Sequence, residues 1–250
     1  MSSPKSILLI GGSRGIGLGI VKQALSVFPE ATIFATARDS SKANELQDVV
    51  NASNGRVQVI AADANDSNSL HLAAEEIGRL TDSLDIVIYN SGILNGFGNL
   101  LEVGIQPLIE NITTNVYGAY YTATEFVPLL LKSKYEKKTL VLLSSSFASM
   151  QLSDEISAVH ESLFGSGYDA TAMYNISKTA LNRLGKELDI VLSRQGLPVV
   201  LIHPGLVKTD MNPYGDIDIS ESVSGIVNVI QSFKAGKKNF YDWSGNELPW

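Results

Sequence analysis

The sequence predicts one α/β domain in which helices cover both faces of a doubly wound parallel sheet of about seven strands. Short apolar runs alternate with longer helical patterns along residues 1–250. Most of these runs are apolar on successive residues, which is typical of strands buried on both faces of a sheet. Hydrophobic residues make up 44% of the chain and charged residues 18%, enough apolar material for a large core. Such sheets bind ligands at the carboxyl ends of their strands, where the strand order reverses.

The alternation assigns the elements in order. An apolar stripe predicts a helix over residues 16–27, and a capped, apolar-spaced segment predicts another over 67–79. A third helix is expected from 170 to about 194. Two polar segments, 151–171 and 208–220, predict loops beside a site, with solvated surface loops as the alternative. The predicted strands are residues 6–10, 31–35, 57–61, 86–90, 140–144, 199–203 and 239–243.

The composition excludes several classes of function. With 26 acidic against 19 basic residues, the net charge of −7 argues against a nucleic-acid partner. There is no cysteine, which excludes disulfides, thiolate metal sites and cysteine nucleophiles. The histidines at 71, 160 and 203 lack metal-ligand spacing, so no metal site is expected. No stretch approaches the ~18 apolar residues of a membrane span, so we expect a soluble cytoplasmic protein with no membrane partner.

A glycine-rich turn follows the first predicted strand. Gly11, Gly15 and Gly17 form the pattern G-x-x-x-G-x-G and lead directly into a helix. Glycine lets the backbone approach a pyrophosphate without a Cβ clash, and the N-terminus of a helix favours an anion. A tight turn also needs glycine, but the strand–turn–helix setting favours a nucleotide site.

Two arginines bear on the choice of nucleotide. Arg38 follows the second strand, where many nucleotide-binding folds carry an acidic residue for the ribose 2′-hydroxyl. Arg14 lies within the glycine loop. Two guanidinium groups suit a 2′-phosphate and favour NADP(H) over NAD(H). The alternatives are solvated surface charges, or an Arg38 neutralised by the adjacent Asp39.

Two further strand ends carry polar residues with two interpretations each. Asp63, after the third strand, is suited to accept a hydrogen bond from an adenine amino group or to start a turn. Asn90, after the fourth, is suited to hold the floor of a cofactor cleft or to form an ordinary Asn-Ser-Gly turn.

The pair Tyr174 and Lys178 provides candidate proton chemistry. At i and i+4 of the predicted helix, the phenol and the amine share one face. Lowering a tyrosine pKa by ~3 units needs about 4 kcal/mol, which one cation at ~4 Å supplies at an effective dielectric of about 20. We therefore expect Lys178, helped by a cationic nicotinamide, to lower the pKa of Tyr174. By itself the pattern is common, and most instances are solvated helix faces.

Serines end the fifth strand, and an asparagine lies in the preceding helical segment. A hydroxyl of Ser144, Ser145 or Ser146 is suited to bond a substrate carbonyl oxygen as negative charge develops, although serines are also ordinary turn formers. Asn115, predicted to lie mid-helix, is a mediocre helix-interior residue. Holding a water molecule that relays protons to Lys178 is one task that would explain it.

The sixth strand leads into a sharp Pro204-Gly205 turn. Beyond it, the backbone at Val207 and the hydroxyl of Thr209 are suited to grip a nicotinamide carboxamide. His203, at the strand end, is interpreted as a packed strand residue.

The order of these motifs closely resembles the short-chain dehydrogenase/reductase family over almost the whole chain. The resemblance implies a Rossmann-like seven-stranded sheet and hydride transfer between a nicotinamide and a carbonyl or alcohol. Within the family, the sequence looks most like carbonyl reductases of the sniffer or C-factor type. The supporting features are Arg38 in Ala-Thr-Ala-Arg-Asp, the long segment before Tyr174 and the ending at residues 239–250.

Carried over residue by residue, the family implies Tyr174 as general acid/base, Lys178 as its activator, Asn115 as the water-relay residue and Ser145 as the catalytic serine. A one-residue shift would select Ser146 instead. The sequence departs from the family at Ile10, usually threonine, and at Ser91, usually alanine. The cofactor-binding positions implied are Gly11, Ser13, Arg14, Gly15, Ile16, Gly17, Arg38, Asp63, Asn90, Gly92, Tyr174, Lys178, Pro204, Gly205, Val207 and Thr209.

The expected function is NADPH-dependent reduction of a small-molecule ketone, aldehyde or quinone to an alcohol. The alternatives are a cofactor-binding signalling or scaffold protein with little catalysis and an NAD-linked alcohol dehydrogenase. The substrate and the formation of a homo-oligomer are left open by the sequence. The aromatic and methionine side chains suited either to a substrate pocket or to ordinary packing are Phe164, Tyr168, Met211, Tyr214, Trp243 and Trp250.

Overall fold

The computed structural model describes residues 3–164, 171–234 and 239–250. Within these residues the strands form one seven-stranded parallel sheet of order β3-β2-β1-β4-β5-β6-β7. The order reverses between β1 and β4, which defines the switch point where ligands bind such sheets. The strands are β1 (Ser6–Ile10), β2 (Thr32–Ala37), β3 (Val57–Ala61), β4 (Ile86–Tyr89), β5 (Thr139–Leu143), β6 (Val199–His203) and β7 (Phe240–Asp242). The predicted fold class is confirmed, and each strand lies within two residues of its predicted bounds.

Helices cover both faces of the sheet. Those in the described residues are α1 (Gly15–Val27), α2 (Asn44–Ala52), α3 (Ser67–Leu80), α4 (Gln106–Ile112), α5 (Gly118–Lys132), α6 (Ser153–Phe164), α7 (Ala172–Leu192) and α8 (Ile219–Ser232). None of them is long and apolar enough to cross a membrane.

The predicted loop at 151–171 is wrong over most of its length, because Ser153–Phe164 is helical. The polarity of this segment suggested a loop. However, acidic side chains at Asp154 and Glu155 interact favourably with the dipole of a helix N-terminus. The second predicted loop agrees better with the structure. Residues 208–218 are turns and bends, and α8 begins directly after them.

Two hydrophobic layers lie on opposite faces of the sheet. Ile7 and Leu9 of β1 belong to the layer that contains buried residues of α1 and α8. Leu8 and Ile10 point the other way, into the layer formed with α3, α5 and α7. Because alternate side chains enter different layers, a strand buried on both faces is apolar throughout its length.

Close packing of α7 on the sheet depends on Gly185. A Cβ atom at this position would lie 2.9 Å from both Cδ atoms of the buried Leu201 on β6. The same helix carries Tyr174 and Lys178, so this contact sets how deeply both side chains enter the strand ends.

Gly185→Val should therefore force α7 away from β6 and lower the free energy of unfolding by about 1–3 kcal/mol, the usual cost of overpacking. The matched control is Gly78→Val on α3, where a Cβ meets no heavy atom within 4 Å. There we expect a change within about 0.5 kcal/mol. Urea unfolding of both variants measures the difference, and equal effects would show that α7 tolerates displacement.

Candidate active site

The glycine loop is held by the two strands that flank β1. The Gly11 N–H donates to Thr36 Oγ1 at 2.9 Å, and the Gly12 N–H donates to the Thr36 carbonyl oxygen at 3.0 Å. From the other side, Asn90 Nδ2 donates to the Gly11 carbonyl oxygen at 2.7 Å. A Cβ at Gly17 would lie 2.6 Å from Asn90 Nδ2 and would clash with that same carbonyl. Only glycine therefore lets α1 approach the loop this closely.

The start of α1 has the features of a pyrophosphate site. Gly15, its first residue, has a φ of +54°, a left-handed conformation that favours glycine. A Cβ there would meet only Thr209 Cγ2, at 4.0 Å, so the space in front of the helix is open. The first turn of α1 carries no acidic residue, and its N–H groups and dipole favour an anion. These features fit a dinucleotide.

Arg38 and Arg14 differ in their surroundings. Arg38 is exposed directly after β2 and forms no salt bridge with any residue the structure describes. Asp39 pairs instead with Lys42, at 2.9 Å, so the alternative in which it neutralises Arg38 is not realised. Arg14 Nη1 lies 3.5 Å from Asp210 Oδ2, and both side chains are largely exposed. An exposed pair of this kind is weak and leaves Arg14 available to another anion.

Tyr174, Ser145 and Lys178 meet at the carboxyl end of β5. All three residues are buried, and the Ser145 side chain lies close enough to Tyr174 to lower the pKa of its phenol. The Phe147 N–H donates to Ser145 Oγ at 3.2 Å, which fixes the hydroxyl at the start of a short 3₁₀ turn. Lys178 Nζ donates to the Leu143 carbonyl oxygen at 2.8 Å and lies 5.7 Å from the centroid of the Tyr174 ring. Of the serines considered, Ser145 is therefore the one that meets the tyrosine.

Burial governs the protonation of this pair. It lowers the pKa of Lys178 to about 7. It raises the pKa of Tyr174 to about 12, although the hydrogen bond with Ser145 opposes the increase. For the protein's own groups, burial thus outweighs any effect of Lys178, whose amine is itself desolvated and hydrogen bonded to Leu143. Tyr174 therefore holds its proton at neutral pH. The lowering expected from Lys178 together with a cationic nicotinamide stays a prediction.

Asn115 lies mid-helix as predicted, in a π-helical turn, Thr113–Tyr117, through which the helical backbone continues from α4 into α5. Its Nδ2 donates to Ser177 Oγ at 2.8 Å and to the Ile93 carbonyl oxygen at 3.0 Å. Its Oδ1 accepts from the Ile93 N–H at 2.9 Å. Both amide hydrogens are committed to tying the segment after β4 to α7. The water-relay role of Asn115 stays a prediction.

Two residues that anchor the site were not predicted from the sequence. Thr36 holds the glycine loop, and the buried Tyr89 hydroxyl donates to the Thr114 carbonyl oxygen in the π-helical turn. The signal in each case is a polar group at the end of an otherwise apolar strand. Such a group needs a partner when it is buried.

The turn after β6 presents free backbone groups. Gly205 has a φ of +91°, and Ser222 Oγ donates to the Pro204 carbonyl oxygen at 2.6 Å. Val207 is only 3% exposed, yet neither its N–H nor its C=O bonds any described residue. A buried donor and acceptor on one residue match the carboxamide of a nicotinamide. Thr209 follows in a tight turn whose backbone bonds Asn212.

The other candidate residues divide between turn-forming, packing and exposed positions. Asp63 Oδ1 accepts from the Asn65 N–H at 3.0 Å, which is the turn-forming interpretation. Burial lowers the pKa of His203 to about 4, so this strand residue is neutral. Met211 and Tyr214 are exposed on the 208–218 loop. Trp243 packs against the core, and Trp250 stacks on Phe240. Tyr168 and the side chain of Phe164 lie outside the described part of the chain.

Comparisons with known proteins agree with this geometry. A family model described as short chain dehydrogenase matches residues 5–158. An uncharacterized oxidoreductase of Schizosaccharomyces pombe is 30% identical over 264 residues, which cover 98% of each chain. The NADPH-bound carbonyl reductase from chicken fatty liver superposes with a TM-score of 0.88 at 26% identity and full coverage of both chains. The carbonyl reductase Sniffer of D. melanogaster gives 0.85 at 28% identity, with 98% and 99% coverage.

Lys178→Met tests the cost of burying this amine. Because the pKa is about 7 in the folded state against an ordinary 10.5, the unfolded chain binds more protons between these values. Wild-type stability therefore rises with pH across this window, and the cost is greatest at pH 7 and below. We expect Lys178→Met to be more stable than wild type by about 2 kcal/mol at pH 7, and by less at about pH 9.5.

Urea unfolding at both pH values measures this difference. Lys22→Met, at an exposed position on α1, is the control and should stay within about 0.5 kcal/mol of wild type at each pH. A Lys178→Met advantage that does not shrink with rising pH would contradict the burial argument.

Proposed function

The chain belongs to the short chain dehydrogenase family, and we propose that it is an NADPH-dependent oxidoreductase that reduces a ketone, aldehyde or quinone to an alcohol. The observation that carries this proposal is that Tyr174, Ser145 and Lys178 are buried together at the carboxyl end of β5. Similarity to carbonyl reductases, one of them with NADPH bound, supports the substrate class and the cofactor.

In the proposed mechanism, Tyr174 and Ser145 bind the oxygen of the substrate carbonyl. Because the two side chains are buried next to each other, one oxygen atom can accept a hydrogen bond from each. When bound, the cofactor supplies the hydride that adds to the carbonyl carbon. As negative charge develops on the oxygen, Ser145 stabilises it and Tyr174 transfers its proton to it, which yields the alcohol.

Lys178 then sets how readily the tyrosine regains its proton. Its pKa of about 7 lets the amine exchange protons near neutral pH. In its charged form it lies close enough to stabilise the tyrosinate, which would otherwise be costly in a buried site. The amine remains oriented throughout by the carbonyl oxygen of Leu143.

The proposed cofactor site runs along the strand ends. The glycine loop and the start of α1 hold the pyrophosphate, Arg38 and Arg14 bind the 2′-phosphate, and Val207 holds the carboxamide. The support is the anion-favouring start of α1, an Arg38 guanidinium that forms no salt bridge with a described residue, and a Val207 backbone that bonds no described residue.

Replacing the proposed acid tests the chemistry. Tyr174→Phe should lower carbonyl-dependent NADPH oxidation by about 100-fold or more, because general acid catalysis contributes at least this much. Its affinity for NADPH should stay near that of wild type. The matched control is Tyr120→Phe, at an exposed position on α5, which should keep full turnover. Assays of NADPH oxidation with a panel of ketones, aldehydes and quinones give the rates.

Two results would contradict this assignment. A Tyr174→Phe variant with the wild-type rate would exclude the tyrosine as the acid. Tight NADPH binding by wild type with no turnover on any carbonyl would favour a cofactor-binding scaffold.

Arg38→Ala tests the choice of cofactor. It should weaken NADPH binding by about tenfold or more, since hydrogen bonds to charged groups contribute about 1.5–3 kcal/mol. It should leave the weaker NADH binding unchanged. Arg79→Ala, at an exposed position on α3, is the control and should alter neither. Titration followed by cofactor fluorescence measures both affinities, and a wild-type preference for NADH would instead support NAD-linked alcohol oxidation.

A further inference from the structure

The indole of Trp243 is inserted between two glycines from different parts of the chain. A Cβ at Gly205, in the turn after β6, would lie 2.9 Å from Cδ1 and Nε1 of the indole. A Cβ at Gly225, on α8, would lie 2.6 Å from Cε3 and would clash with the Trp243 carbonyl oxygen. The five-membered ring therefore lies against the turn and the six-membered ring against the helix. Any larger residue at either position would displace the indole.

The backbone that carries Trp243 is itself tightly held. The Asp242 carboxylate accepts four hydrogen bonds, at 2.8 to 2.9 Å, from backbone and side-chain groups of Ser244 and Asn246. The Asp242 N–H donates in turn to the Asn246 carbonyl oxygen at 2.9 Å. The end of β7 thus forms a closed turn, and the indole extends from a rigid support.

The turn that contacts the indole continues from Gly205 to Val207, whose backbone is proposed to hold the nicotinamide carboxamide. On another side of Gly205, the Cδ1 atom of Ile217 occupies the space that a Cβ would need. The Ile217 backbone accepts from the Lys208 N–H at 2.9 Å, directly beyond Val207. Trp243 and Ile217 therefore confine the chain from Gly205 onwards, while the N–H and C=O of Val207 remain without a described partner.

We propose that Trp243 is a positioning residue that confines the Pro204–Gly205 turn and thereby orients the backbone of Val207 toward the nicotinamide carboxamide. This inference rests on the proposed use of a nicotinamide dinucleotide. Trp243 acts on one half of that ligand only. Three strands, β1, β4 and β5, separate β6 from β2, where Arg38 and the adenosine end lie. At about 4.8 Å per strand spacing, the two ends are roughly 19 Å apart.

The test compares two ligands that differ only in the nicotinamide half. Isothermal titration calorimetry measures the affinity of wild type and of Trp243→Ala for NADPH and for 2′-phospho-ADP-ribose, which lacks the nicotinamide ring. We expect Trp243→Ala to weaken NADPH binding about tenfold, as for loss of a well-oriented hydrogen bond. Binding of 2′-phospho-ADP-ribose should stay within about twofold of wild type, since its contacts lie at the other end of the site.

Two further variants control for loss of fold. Trp243→Phe keeps an aromatic ring against α8 but does not reach as far as an indole, so the same selective loss is expected at a smaller size. If Trp243→Ala does not fold, Trp243→Phe alone tests the positioning role. Trp250→Ala removes the other C-terminal tryptophan, which stacks on Phe240 with centroids 5.6 Å apart. It should leave both affinities unchanged, because Phe240 belongs to the opposite core layer from the one against which Trp243 packs.

The outcomes separate the inference from the function on which it rests. The positioning role would be overturned if the folded Trp243 variants lost affinity for both ligands equally, or for neither ligand. The proposed cofactor would remain intact in both cases. Equal affinity of wild type for the two ligands would overturn it as well, because no nicotinamide contact would exist. If wild type bound neither ligand, both the inference and the proposed cofactor would fall.

Discussion

Lys178 donates its buried amine to the carbonyl oxygen of Leu143 and so joins α7 to the strand end that precedes Ser145. Desolvating an amine is costly, and its pKa falls to about 7 as a result. The cost is tolerated because the core layer that α7 shares with α3 and α5 holds this helix against the sheet, with Gly185 permitting contact with Leu201. Packing far from the chemistry thus keeps a polar site in place that would not form on its own.

The same burial decides what kind of acid the site contains. In water a tyrosine near a cation loses its proton more easily, but here removal from solvent acts in the opposite direction and holds the phenol neutral. A neutral phenol beside a serine hydroxyl is suited to proton donation to a developing alkoxide. Near this phenol, the hydrogen bonds of the Asn115 side chain with Ile93 and Ser177 hold the chain after β4 against α7. The polar groups nearest the reaction are therefore divided between chemistry and support.

Much of the architecture follows from local patterns. A strand buried on both faces must be apolar throughout, which is why β1 and β5 are evident in the sequence. The glycine loop is evident because a strand, a turn and a helix N-terminus appear in succession. The pattern failed at α6, whose polar composition suggested a loop, and it gave no sign that the helix turns π-helical around Asn115. Exact helix form depends on partners such as Tyr89, which are distant in sequence.

The sequence by itself determined the fold class and the placement of Tyr174 and Lys178 on one helix face, because these depend on periodicity and on neighbours within one helical turn. Only the tertiary structure brought Ser145 close to Tyr174 and left Arg38 without a salt bridge to any described residue. It also set the direction of the tyrosine pKa and the place of Trp243 between two glycines. These outcomes depend on burial and on contacts between distant segments, which the order of residues along a single element does not specify.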